Sequence, residues 1–333
     1  MLNLSKYLLT CAACLPLLCM GTVANAADFP ERGVEINSGA PPGGTGDLLA
    51  RIVAQKLSEK WGQPAVVMNR VGANHRIAAA HVAHAKPDGY TMLVMTSDLM
   101  ATPPEDVDIT YDRISSFVPA ALIGSAPNCL VVGASLPVGS VAELLAMAKA
   151  EPKKLNAAVY GTGGVGEVAF TRLFLLTKTP MMEFLRYTGS SKGMIAILAS
   201  EAHVTIVPCS SAMQHVESGA LKVLAISQKS DLPLLAVVPT FEEATGLEGY
   251  NGPGSNRYGL SVPAGTPEDI VTKIRHDVDE VLQAEDVKEK LTSQFIIPGT
   301  GQDDFAELVK SEVTRWDTWT KENKEGMAAA AVQ

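Results

Sequence analysis

Short apolar runs alternate with stretches whose apolar residues recur every third or fourth position along most of this chain. The runs read as strands and the periodic stretches as amphipathic helices, and their alternation predicts an α/β protein. Val34–Ala40 is the first strand, and Leu48–Leu57 the first helix, with Leu48, Leu49, Ile52, Val53 and Leu57 on one face and Gly62 as its stop. A short strand at Ala65–Met68, a helix near Arg76–Ala85 and a strand at Tyr90–Met95 follow. A second set of elements begins at Cys129–Val132. It continues as helix Val141–Ala150, strand Leu155–Val159, helix Glu167–Leu176, strand Met182–Arg186, helix Met194–Ala199, strand Val204–Val207, helix Ser211–Glu217 and strand Val223–Ile226. Residues 228–256, rich in Pro and Gly, read as a long connection back to strand Tyr258–Val262, and helices Pro267–Leu282 and Asp303–Lys321 close the chain.

The first residues stand outside this pattern. Lys6, the apolar run Tyr7–Met20 and Ala24-Asn-Ala26 have the order of a secretory signal peptide, with cleavage expected after Ala26. Removing 26 of the 333 residues leaves 307, near the size at which one core divides into two. Charged residues at 19% and a formal net charge of −9 describe an ordinary globular protein and argue against a nucleic-acid surface. Three of the five cysteines leave with the leader. Cys129 and Cys209 remain, either as a disulfide in an oxidising compartment or as two buried thiols.

The chemistry concentrates in the turns. Pro41-Pro-Gly-Gly-Thr-Gly-Asp47 joins the first strand to the first helix, and Gly161-Thr-Gly-Gly164 repeats the strand, Gly-rich turn, helix arrangement at 155–176. Such a turn presents the unpaired N–H groups of a helix start, a natural anion site. Two of them facing each other would hold one ligand in a crevice. Gly161–Gly166 also satisfies G-x-G-x-x-G, with Glu183 about twenty residues on, but no hydride-transfer residues accompany it. Gly189-Ser-Ser-Lys-Gly193 fits G-x-S-x-G, with Ser191 as a nucleophile and Asp269 and His276 in hydrolase order, so a serine hydrolase is the rival reading. His75, His81 and His84 lack metal-ligand spacing; His75 and Arg76 stand at a turn beside the crevice, on its rim or facing a ligand. Trp316 and Trp319, three apart on the last helix, suit core or domain packing.

An ordered set of motifs carries a resemblance: Pro41–Asp47, Asn69-Arg-Val-Gly-Ala73, Pro87-Asp-Gly-Tyr-Thr91, Gly161–Gly164, Arg186-Tyr-Thr-Gly189, Ser218-Gly-Ala-Leu-Lys222, Val238-Pro-Thr240 and Tyr258–Pro267. Together they resemble the extracytoplasmic substrate-binding proteins of tripartite tricarboxylate transporters, the Bug family. The resemblance implies a two-domain Venus-flytrap of the type II periplasmic-binding class, with residues 27–130 plus 255–333 in one domain and 131–254 in the other. It further implies a non-enzymatic, cofactor-free, monomeric periplasmic receptor that hands a carboxylate to inner-membrane transporter subunits. The resemblance and the departures from it together give the expected ligand-binding residues: Pro42, Gly43, Gly44, Thr45, Asp47, Asn74, His75, Arg76, Ser97, Thr162, Gly163, Gly164, Tyr187 and Arg257.

The chain departs from the family where Asn74-His-Arg76 replaces Gly-Gly-Asn, where Arg186 replaces Pro, and where Arg257 replaces a Trp-like residue. It also lacks an Asp after Val207-Pro208. The missing acid argues against an ammonium-bearing ligand. The added His75, Arg76 and Arg257 argue for a second anionic group, and hence for an aliphatic or aromatic dicarboxylate.

Overall fold

The computed structural model describes residues 29–323 apart from 102–108, 153, 161–163, 231–233, 251, 253 and 301–303. The expected leader and cleavage site therefore lie outside the described residues.

Two separate sheets organise the chain. The first half contributes β1 (Val34–Ser38), α1 (Thr45–Trp61), β2 (Ala65–Asn69), α2 (Arg76–Ala83), β3 (Thr91–Thr96), α3 (Ser97–Ala101) and β4 (Phe117–Ala126). The chain then crosses at Pro127 into β5 (Asn128–Gly133), α4 (Val141–Ala150), β6 (Asn156–Tyr160), α5 (Val165–Leu176), β7 (Glu183–Tyr187), α6 (Ser190–Leu198), β8 (Val204–Pro208), α7 (Cys209–Glu217), β9 (Leu221–Ile226) and α8 (Phe241–Thr245). It returns through β10 (Asn256–Pro263), α9 (Glu268–Gln283), α10 (Glu285–Ser293), β11 (Ile297–Pro298) and α11 (Phe305–Glu322). The strand order is β11-β4-β10-β3-β1-β2 in one sheet and β7-β6-β8-β5-β9 in the other. Asn128–Gly133, whose first three residues were expected in the first unit, pairs entirely within the second sheet.

Each sheet is covered on both faces, as the continuous apolar character of its strands requires. In the first, Leu49, Val53 and Leu57 of α1 pack with Ile270, Ile274 and Val278 of α9 on one face, while Ala79, Val82 and Val309 cover the other. In the second, Leu144, Phe170, Phe174 and Phe241 fill one side, and Met194, Ile197, Ala212 and Met213 the other. Cys129 and Cys209 form a disulfide there, tying the start of β5 to the start of α7.

Sequence patterning misses α3, α8, α10, β11 and, longest of them, β4. Pro119 and Gly124 interrupt its apolar run, and both ordinarily argue against a strand interior. Register shifts against β10 at Tyr258/Gly259 and Leu260/Ser261 accommodate it, and a Cβ on Gly124 would lie 2.8 Å from the Ile297 carbonyl.

Candidate functional site

β1 runs parallel to β2 and β3, and β6 runs parallel to β7 and β8. The carboxyl ends of β1, β2, β6, β7 and β8 all open on one cavity of about 440 Å³ between the two halves. That is where α/β sheets bind ligands, and the volume lies within the roughly 300–1,000 Å³ of small-molecule sites.

The first wall is the turn into α1. Gly43 reaches φ 82, and its N–H donates to Asp47 Oδ2 at 2.9 Å, while the Gly44 N–H donates to the Pro41 carbonyl at 3.0 Å. Asn69 Nδ2 donates to Asp47 Oδ1 at 2.7 Å and to the Ala40 carbonyl at 3.0 Å, and Arg51 Nε donates to Asp47 Oδ2 at 3.0 Å. Burial pushes the Asp47 carboxyl up, but the bonds from Arg51, Asn69 and the Gly43 amide outweigh it and hold the group below the usual carboxylate range. Asp47 thus braces the turn and does not line the cavity. Gly44, Thr45 and Gly46 do line it. The Thr45 and Gly46 N–H groups, in the first turn of α1, have no carbonyl within the helix to donate to.

The second wall leads into α2. Ala73, Asn74 and His75 follow one another with φ of 44°, 51° and 69°, a left-handed run that L side chains rarely adopt. A Cβ on Gly39 would come within 2.5 Å of His75 Cα, so the two turns fit only because position 39 has no side chain. His75 Nδ1 is buried without a partner, and burial lowers the imidazole pKa against the opposing pull of Asp98. Arg76, 8% exposed, lines the cavity beside it.

The second half supplies Tyr160, Arg186, Tyr187, Thr188 and the start of α6 at Gly189 and Ser190. The Tyr160 hydroxyl is 2.6 Å from Thr205 Oγ1, and Arg186 donates to Glu167 Oε1 at 2.8 Å. Burial pushes the Tyr160 and Tyr258 phenols up, so both remain neutral hydroxyls.

Among the described residues, four contacts join the halves around this space. Thr45 Oγ1 meets Ser210 Oγ at 3.0 Å, and Pro41 Cγ sits where a Cβ on Gly189 would be 3.2 Å away. Trp316 of α11 packs with Val165 and Val168 of α5, as the spacing of the last-helix tryptophans suggested. The fourth is Asp98, on α3 of the first half, whose Oδ1 accepts the Val165 N–H at 3.1 Å. At the start of α5, expected to grip a ligand, the Val165 amide thus has a partner in the chain's own carboxylate.

Of the sequence-derived residues, Gly44, Thr45, Asn74, His75, Arg76 and Tyr187 line the cavity. Pro42, Gly43 and Asp47 belong to the turn behind it. Ser97 Oγ accepts the Arg257 N–H at 2.9 Å, and the Arg257 guanidinium pairs with Glu312 at 3.3 Å, outside the lining. Gly164 is the N-cap of α5, and Thr162 and Gly163 lie outside the described residues. Sequence reasoning missed Asp98, Tyr160, Asn256 and Tyr258. Only the period-2 alternation of β10, which puts Asn256 and Tyr258 on one face, could have signalled the last two.

The enzyme readings do not assemble. Ser191 is exposed on α6 over the second sheet, whereas His276 is 74% exposed on α9 over the first and pairs with Asp277 at 3.5 Å. Glu183 pairs with Asn156, at the far end of β6 from Gly164, where no ribose bound at the Gly-rich turn would reach it. Asp277 draws its neighbourhood into ordinary ion pairing with Lys60 and Lys273.

Residues 49–324 match the model of the tripartite tricarboxylate transporter family receptor. The chain is 30% identical over 318 residues to the protein of the tcbD–tcbE intergenic region of Pseudomonas sp., covering 94% of this chain and 93% of that one. It is 27% identical to BugT of Bordetella pertussis, covering 95% and 96%. Among solved structures, R. palustris Rpa4515 with adipate superposes with a TM-score of 0.81 at 32% identity, covering 88% of this chain and 98% of that one. MatC from Rhodopseudomonas palustris with bound malate gives a TM-score of 0.78 at 27% identity, covering 87% and 99%. The chain, with its two sheets and the cavity between them, belongs to the tripartite tricarboxylate transporter receptor family.

Proposed function

We propose that this protein is a periplasmic receptor that captures an organic dicarboxylate between its two halves and delivers it to the membrane subunits of a tripartite tricarboxylate-type transporter. Members of its family are binding proteins rather than enzymes. The observation that carries the reading is convergence on one cavity of the unpaired first-turn amides of α1 with the Arg76 and Arg186 guanidiniums. Helix ends and guanidiniums both hold carboxylates without metal. The Rpa4515 and MatC structures, solved with adipate and malate, support the same ligand class. Each charge-assisted bond contributes about 1.5–3 kcal/mol net, so a few of them reach the roughly −8 kcal/mol of micromolar binding.

The leader-like first 26 residues support export. No helix among the described residues is long and apolar enough to cross a membrane. Delivery to transporter subunits, a monomeric state and a lack of nucleic-acid partners complete the proposal.

The test is a thermal-shift and calorimetric screen over mono-, di- and tricarboxylates, with uptake measured in cells lacking the gene. A dicarboxylate at a hundredfold excess over Kd should stabilise the fold by about 2.7 kcal/mol. Absence of any shift with dicarboxylates, or unaltered uptake of the binding ligand in the deletion strain, overturns the reading.

A further inference from the structure

The cavity is not lined by donors alone. Asn256 opens β10, is 5% exposed, and lines the space with its Oδ1 buried and without a hydrogen-bond partner. Tyr258, two residues on and on the same strand face, lines the space beside Asn256 and Thr45. Asp98 lines the same space and lies close enough to Tyr258, Tyr160 and His75 for its charge to bear on all three. An ionised carboxylate accepts several donors at once, so the bond to Val165 does not exhaust its acceptor chemistry. A buried amide oxygen left unpaired is costly, and native proteins seldom retain one without a use for it.

Resting on the dicarboxylate reading above, we infer that Asn256 and Asp98 form an acceptor subsite that selects dicarboxylates carrying a hydrogen-bond donor, a hydroxyl or an ammonium, on the carbon chain. The carboxylates engage the helix ends and arginines, and the donor substituent engages Asn256 Oδ1 and the Asp98 carboxylate. An ammonium-bearing ligand, which the missing acid argued against, is admitted here on a different ground. No acid follows Pro208, but Asp98 brings one into the wall from the other half of the molecule.

The experiment is calorimetric titration of the full mature protein with succinate, malate and aspartate, which share four carbons and two carboxylates and differ in one substituent. The better of malate and aspartate should bind at least about tenfold more tightly than succinate, because succinate leaves a buried acceptor unpaired. Asn256→Ala should bring that ratio toward one. Asp98→Asn keeps an acceptor for the Val165 amide, and a circular dichroism spectrum checks that the fold is kept. It should weaken the ammonium ligand selectively if aspartate is preferred, and spare the ranking of the hydroxyl ligand if malate is. Succinate binding as tightly as both others, or a preference that survives both substitutions, overturns the subsite and leaves the dicarboxylate reading standing. Failure of every dicarboxylate to bind removes that reading and this inference with it.

Discussion

Gly39 and His75 interlock: the position a Cβ would take on Gly39 lies 2.5 Å from His75 Cα and 2.6 Å from His75 Nδ1. The obstacle is backbone as well as side chain, so it cannot swing aside. Gly39→Ala should therefore force the turns before α1 and α2 apart, at a cost of about 1–3 kcal/mol, and weaken carboxylate binding in the same variant. A denaturant midpoint and a titration against the native protein check both effects.

The two arginines that the sequence placed near the ligand should now behave differently. Arg257 is engaged with Glu312, which also holds Arg315 at 2.6 Å, so Arg257→Ala strands no charge. It should leave ligand ranking untouched and cost no more than about 1 kcal/mol of stability. Arg76→Gln, in the cavity wall, should lower dicarboxylate affinity by about tenfold or more while the circular dichroism spectrum is preserved.

Stability should depend on His75 with a definite sign. Burial lowers its folded pKa below the ordinary 6.5, with Asp98 opposing. The unfolded ring takes up a proton near 6.5 that the folded ring refuses until lower pH, so stability is complete above that value and declines as pH falls through it. Urea midpoints between about pH 8 and pH 5.5 should fall for the native protein. His75→Asn, a residue tolerant of the left-handed region, should flatten the slope. An equal slope in both proteins would assign the acid sensitivity elsewhere.

The Cys129–Cys209 bond closes a sequence separation of 80 residues. Chain-entropy reasoning puts its contribution at about 4–5 kcal/mol. Cys129→Ser with Cys209→Ser, or reduction of the native protein, should lower the melting temperature. Because Pro208 lines the cavity and Ser210 meets Thr45, the same change should speed ligand release.

Much of this architecture was legible because burial imposes periodicity. Helix Val141–Ala150 is found with the bounds its spacing predicts, and the strands leading to the site shift by a residue or two. Three helix starts around the site were placed too late, and for one reason. α1 begins at Thr45 rather than Leu48, α6 at Ser190 rather than Met194, and α7 at Cys209 rather than Ser211. Those first turns hold small and polar residues because they face a ligand space or the opposite half, so hydrophobic periodicity is silent there. Asp98 was invisible for a different reason. Its partner, the Val165 amide, is 67 residues away in the chain and in the other half of the molecule, and no local pattern encodes such a meeting.

That meeting constrains how the receptor opens. α5 grows from the second sheet, yet its first turn rests on Asp98, Ala101 and Trp316 of the first half. Parting the halves must either strip this corner of its cap and its tryptophan or leave it in place as a fulcrum. In the second case an incoming solute enters from the Pro41–Gly189 side, and the jaws swing rather than gape.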